Sequence, residues 1–166
     1  MLGISSLGLS SPFLSAVVFL GFSFASPAQV PARVLPVNLT PIERANMVQS
    51  YATEKLWVWQ HRLNLDDWSV SVVVARTTDL KPRTLGNIHW DSDNKTAVIR
   101  VLDPADYNVA GQAMLRDIEF TVVHELIHLE LVPVLAPLQR TEANRRDEEH
   151  AVNHMADALL KLDRTR

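Results

Sequence analysis

The 166-residue chain contains no cysteine. That excludes a disulfide framework, a cysteine-ligated zinc site and a thiol nucleophile, so any metal site must be built from histidine and carboxylate. Excess basic charge is also lacking: 16 Lys and Arg stand against 19 Asp and Glu, a formal net charge of −3. The mixed signs leave no basic stripe for a nucleic acid. No internal repeat occurs, and no low-complexity tract beyond the N-terminal segment. With 47% hydrophobic and 21% charged residues, the composition suits one globular domain.

Charge is absent altogether before Arg33, and Phe13 to Ala25 (FLSAVVFLGFSFA) is a continuous apolar run. Ser23-Phe24-Ala25 and Ser26-Pro27-Ala28 supply small residues of the kind that precede a signal-peptidase cut. The run is too short for an ordinary transmembrane span of ~20 residues. Residues 1–28 are therefore expected to be a secretory signal, which places the remainder in the periplasm or outside the cell with no stable membrane insertion. An uncleaved anchor or a misassigned start is the alternative. Residues 29–39 (QVPARVLPVNL) carry Pro31 and Pro36 without periodicity and read as a linker or arm.

Thr40-Pro41-Ile42-Glu43 is a helix start: a capping threonine, proline at the first helical position, and a glutamate that completes a capping box. The helix is expected to reach about Asn64, with Ile42, Met47, Tyr51, Leu56, Trp59 and Leu63 among its apolar positions and both Trp57 and Trp59 as packing residues. Ser69 to Ala75 (SVSVVVA) reads as a strand. Gly86–Trp90 and Thr96–Leu102 flank the turn cluster Asp91-Ser92-Asp93-Asn94 and read as a hairpin. A helix over residues 113–132 follows, ended by Pro133 and Pro137, and a last helix runs from about Thr141 to Leu162. The order predicts an α+β domain over 40–166: a small three-stranded sheet with an N-terminal helix, a central helix and a C-terminal helix.

The central helix carries His124-Glu125-Leu126-Ile127-His128. Residues four apart overshoot a 3.6-residue turn by only ~40°, so the two imidazoles share one side of the helix. That is the spacing at which two histidines bind one Zn²⁺, with the intervening glutamate as general base to an activated water. With six His and eight Glu in the chain, a chance occurrence has an expectation of only ~0.01. The helix holds no Pro or Gly from 113 to 132 and is apolar nearly all round, hence buried, and buried imidazoles need partners.

A third ligand is expected from the last helix, where Glu148 and Glu149 precede its apolar side. Glu149 is favoured because Asn153, one turn on, can support a ligand histidine from behind; Glu148 is the alternative, having only Val152 one turn along. His150 and His154 form a second pair four apart with no glutamate placed as a base, and read as surface or supporting histidines, His154 the nearer to the site.

HELIHLEL followed by EEHAVNHMADALL resembles the gluzincin branch of zinc metallopeptidases, in particular the small single-domain minigluzincins and related phage and bacterial proteins. The resemblance spans about residues 40–166. It implies a single Zn²⁺ held by His124, His128 and Glu149, Glu125 as the base, and a peptide or protein as substrate. Glu130 stands where the usual pattern has a hydrophobic residue. Larger gluzincins take an oxyanion-stabilising Tyr or His from a further domain; Tyr107 and His154 are the candidates here. The exposed edge strand, Gly86–Trp90 or Thr96–Leu102, is expected to hold an extended substrate by strand addition. The rival expectations are a zinc-stabilised binding module and a precursor whose arm, residues 29–39, covers the cleft.

Overall fold

A computed structural model describes residues 39–165. The expected signal at 1–28, and all of the arm except Leu39, lie outside the described residues.

Helix α1 spans Pro41–Arg62. Its start is the capping box that the sequence calls for: the Thr40 hydroxyl accepts from the Glu43 amide at 3.3 Å, and Glu43 Oε2 accepts from the Thr40 amide at 2.8 Å. Val48, Ala52, Leu56 and Trp59 recur every three or four residues and form its buried stripe. Two expected packing residues fall off that stripe: Ile42 is 74% and Trp57 76% exposed. Ile42 lies in the first turn, and Trp57 follows Leu56 by ~100° of helix rotation, which turns it away from the core.

Strands β1 (Ser69–Ala75), β2 (Gly86–Asp91) and β3 (Thr96–Leu102) form one sheet in the order β1-β3-β2. β3 pairs with β1 in parallel and with β2 antiparallel. The β2–β3 turn is closed by Asp91, whose Oδ1 accepts from the amides of Asp93 and Asn94 at 3.0 and 3.1 Å. Because β3 is central, Thr96–Leu102 offers no free edge, and that half of the edge-strand expectation is corrected: β2 is the free strand beside the central helix. Ala97, Ile99 and Val101 alternate along β3 towards the helices and are buried.

Helix α2 spans Gln112–Leu135 and helix α3 spans Glu142–Arg164. α2 continues through Pro133, so the expectation that this proline ends it is also corrected. Proline forfeits one backbone hydrogen bond, but near a C-terminus the ladder resumes at once, with the Ala136 amide donating to the Val132 carbonyl at 2.9 Å. α2 is the spine of the core. It packs on α1, on α3 and on the β2–β3 side of the sheet, while α1 covers β1. Ile118, Val122, Val123 and Leu126 are wholly buried. α3 adds a thinner stripe, Val152, Ala156 and Leu160. Among the described residues, no helix is long and apolar enough to cross a membrane.

Two polar or steric features hold α2 in register. Glu119, 8% exposed, takes hydrogen bonds from Trp59 Nε1 at 3.2 Å and Tyr51 Oη at 3.4 Å, and an ion pair from Lys55 Nζ at 3.0 Å. All three partners lie on α1, so a buried carboxylate that would be costly alone is satisfied across the helix pair. On the other side, Gly86 lets β2 press against α2. A Cβ there would lie 2.4 Å from both the Arg100 carbonyl oxygen and Thr121 Cγ2. Gly86→Ala is expected to cost about 1–3 kcal/mol in urea denaturation, as overpacking does. Adding Thr121→Ser should recover little of it, because the Arg100 carbonyl is backbone; full recovery would place the crowding on the threonine alone.

Candidate metal centre

α2 presents His124 and His128 one turn apart, with Nε2 atoms 3.0 Å from each other and ring planes at 70°. Their side chains are 13% and 10% exposed. Two imidazole nitrogens that approach so closely must share a proton or a cation, since two facing lone pairs repel. Which nitrogen of His128 is free follows from its other neighbour. Glu148 Oε1 lies 2.9 Å from His128 Nδ1 and accepts a hydrogen bond from it, which turns Nε2 towards His124. Glu148 is in turn gripped by Arg140, Nη1 to Oε2 at 2.5 Å, and its side chain is only 8% exposed.

Glu149 comes to the opposite side of the same rings. Its Oε2 lies 3.4 Å from His124 Nε2 and 3.6 Å from His128 Nε2. Neighbouring residues of a helix project ~100° apart, so adjacent glutamates on α3 reach the front and the back of one imidazole. Glu148 thus lies on the Nδ1 side of His128, away from the two facing Nε2 atoms. Ligand atoms ~2.0–2.1 Å from a tetrahedral ion stand roughly 3.3 Å apart. The triangle of Nε2, Nε2 and Oε2, with edges of 3.0, 3.4 and 3.6 Å, has that size. Glu125 also belongs to the cluster: one atom each of His124, Glu125 and His128 lie within 4.8 Å of one another, a group that can hold a metal ion.

Electrostatics favour the ligand-competent forms of the ring. Burial, then the neighbouring His128, depress the pKa of His124, against the pull of Glu149 and of Asn153 beside it. His124 Nδ1 is buried with no hydrogen-bond partner of adequate geometry, and Asn153, which lines the same cleft, is the polar side chain at hand to orient it. Glu125 is driven the other way. Burial chiefly, with the Glu149 charge adding, raises its carboxyl to about 8, while Lys81 across the cleft pulls it down.

These residues line a cleft of about 410 Å³. One wall is β2, from Gly86 to Trp90, and Lys81, Arg140 and Arg145 bring positive charge to it. The two candidates for oxyanion stabiliser are not among the lining residues. Tyr107 packs between the main core and the small cluster of Ala75, Leu80 and Leu102, its hydroxyl buried without a partner. His154 stacks on His150, ring centroids 4.3 Å apart, with both rings exposed. The reason is angular: on α3 they lie round from Glu149 and Asn153. His61, which has no motif of its own, pairs with Asp66 at the surface at 2.8 Å. Glu130 is exposed, so its departure from the usual pattern costs the core nothing. Lys81 and Arg140 carried no signal in the sequence, since neither lies in a motif. No protein family, curated protein or solved structure matches the chain.

The raised Glu125 has a testable sign. Between the ordinary value of 4.5 and about 8, the folded metal-free chain keeps this proton and the unfolded chain releases it. Its contribution to stability is therefore full below pH ~4.5, falls as pH rises and is gone above pH ~8. His124, with a depressed pKa, acts in the opposite sense, adding stability as pH rises towards its ordinary value. Subtracting the curve of Glu125→Gln from that of the parent, in chelator, isolates the first effect. The difference should fall from pH 5 to pH 8 by chemical denaturation; parallel curves would mean Glu125 is not held protonated.

Proposed function

We propose that the chain is a zinc-dependent peptidase of minimal gluzincin type, with His124, His128 and Glu149 holding one Zn²⁺ and Glu125 as general base. The observation that carries this reading is the triangle of two imidazole nitrogens and one carboxylate oxygen sized for a tetrahedral ion, with a second carboxylate beside it. A donor set of two nitrogens and one oxygen, with no thiolate available, suits a catalytic zinc site with one position left open. When bound, Zn²⁺ supplies Lewis acidity to a carbonyl oxygen and acidifies a water to a pKa near 7.

The chain's own residues do the rest. Glu125 takes a proton from the attacking water and returns it to the leaving amine, for which it must be ionised; a dication nearby favours that form and offsets its burial. Glu148 and Arg140 hold the His128 ring so that Nε2 faces the ion. The free edge of β2 accepts an extended peptide or protein segment by strand addition. The apolar, charge-free run before Arg33 supports export of the chain.

A second reading has one observation in its favour. Neither Tyr107 nor His154 lines the cleft, so neither of the two expected donors faces a developing oxyanion there. A module in which the ion mainly ties α3 to α2 fits that fact.

Metal analysis with single variants separates them. The parent chain should carry one zinc per molecule and cleave peptides in a broad library, and Glu125→Gln should keep the zinc and lose cleavage. Glu149→Ala should lose the zinc, while Glu148→Gln should weaken zinc by roughly 10- to 100-fold, the usual toll of removing a group that orients a ligand. Full zinc with no cleavage by the parent, and a collapse of the melting temperature on chelation, would favour the module. Cleavage retained by Glu125→Gln would rule out the proposed base.

A further inference from the structure

We propose that His150 and His154 form a second metal site, on α3 and outside the cluster on α2, which takes one divalent ion of the Cu²⁺, Ni²⁺ and Zn²⁺ class and staples the turn of helix between them. The pair repeats the i, i+4 arrangement that brings His124 and His128 together, and it is drawn as tight. Its ring centroids stand 4.3 Å apart, against 4.7 Å for the pair on α2. The site stands or falls independently of the peptidase reading.

The two rings lie ~140° round α3 from its buried stripe of Val152, Ala156 and Leu160, and both are exposed. Packing of the core therefore does not account for their contact. Among the described residues, neither ring is committed to a hydrogen bond or an ion pair. Their nitrogens are open to an ion, and because the rings already meet, closing on it costs little further side-chain freedom. The surrounding charge suits a cation. Asp147 lies one turn before His150 and offsets its neighbour Arg146, and Asp157, one turn after His154, neutralises Lys161, Nζ to Oδ2 at 2.5 Å. Two imidazole nitrogens with water completing the shell suit Cu²⁺, Ni²⁺ or Zn²⁺, whereas Ca²⁺ and Mg²⁺ take oxygen ligands. The position sets what binding does. Each histidine directly follows a residue that lines the cleft, His150 after Glu149 and His154 after Asn153. The rings meet only while the turn between them is helical, so an ion that bridges them binds the folded turn alone and stabilises it. It stiffens the stretch of α3 that presents Glu149 and Asn153.

The probe is Ni²⁺, titrated into the full chain by equilibrium dialysis. The cluster on α2 is the same in parent and variants, so its share of the binding cancels. The parent should bind one more Ni²⁺ than His154→Gln, and loss of either histidine should weaken that ion at least roughly tenfold, since a two-point grip becomes a single one. Spacing is tested apart from histidine count. His150→Gln/Ala158→His rebuilds the pair one turn on, between residues 154 and 158, and should restore the ion. His154→Gln/Ala151→His sets the two rings ~100° apart and should not. Positions 151 and 158 are exposed and tolerate the change. Hydrogen exchange gives a second readout: Ni²⁺ at roughly 100 times its dissociation constant should slow the α3 amides of the parent by up to ~100-fold more than those of His154→Gln. Equal Ni²⁺ binding by parent and His154→Gln, no recovery by the relocated pair, recovery by the adjacent pair, or equal slowing of α3 exchange in parent and His154→Gln would each overturn the proposal.

Discussion

The site depends on one constraint: two imidazoles on a buried helix side must be given partners, and each is given a different kind. His128 donates its Nδ1 proton to Glu148, and Arg140 holds that carboxylate in place. The ring is thereby fixed in tautomer and in tilt, so that Nε2 of His128 meets Nε2 of His124 at 3.0 Å. Burial, then the neighbouring His128, depress the pKa of His124, which favours the neutral ring whose lone pair a metal ion could take. The cluster can hold a metal ion.

The opposite side of α2 shows the same economy with no chemistry attached. Glu119 is as buried as the site carboxylate Glu125, 8% against 7% exposed, yet it is saturated by Trp59, Tyr51 and Lys55. Glu125 has no comparable set, and its pKa climbs. Two glutamates six residues apart on one helix thus separate into a saturated carboxylate and one whose pKa is raised, by their neighbours alone. Gly86 sets the remaining dimension, by bringing β2 against Thr121 until no Cβ fits, and the width of the cleft follows from that contact.

Much of this was legible in the residues, for identifiable reasons. Thr40-Pro41-Ile42-Glu43 encodes its cap locally, and the α1 start is as read. The hairpin turn at Asp91–Asn94 is likewise local, and the i, i+4 spacing of His124 and His128 sets their shared side whatever surrounds the helix. The errors come from contacts made at long range. Sheet order cannot be read from strand patterns, so Thr96–Leu102 looked as eligible for the edge as Gly86–Trp90. Pro133 breaks a helix by local rules, but packing of Leu129 and Val132 carries α2 over it. Tyr107 and His154 were eligible only by residue type, and the fold takes one into the core and leaves the other on the surface. Glu148 and Glu149 were both in view; their division into orienting and facing groups depends on the angle at which α3 meets α2, which no spacing encodes.

α3 is attached by an unusually lean seam. Three small or medium residues, Val152, Ala156 and Leu160, are all it buries. Charged pairs hold it near both ends: Arg140–Glu148–His128 at one, Arg62–Asp163 at 2.8 Å at the other. A helix docked this lightly opens more readily than the spine it rests on, and it is the helix that carries Glu148 and Glu149. Undocking that one helix would carry both carboxylates away from the paired imidazoles, with α2, the sheet and α1 left standing.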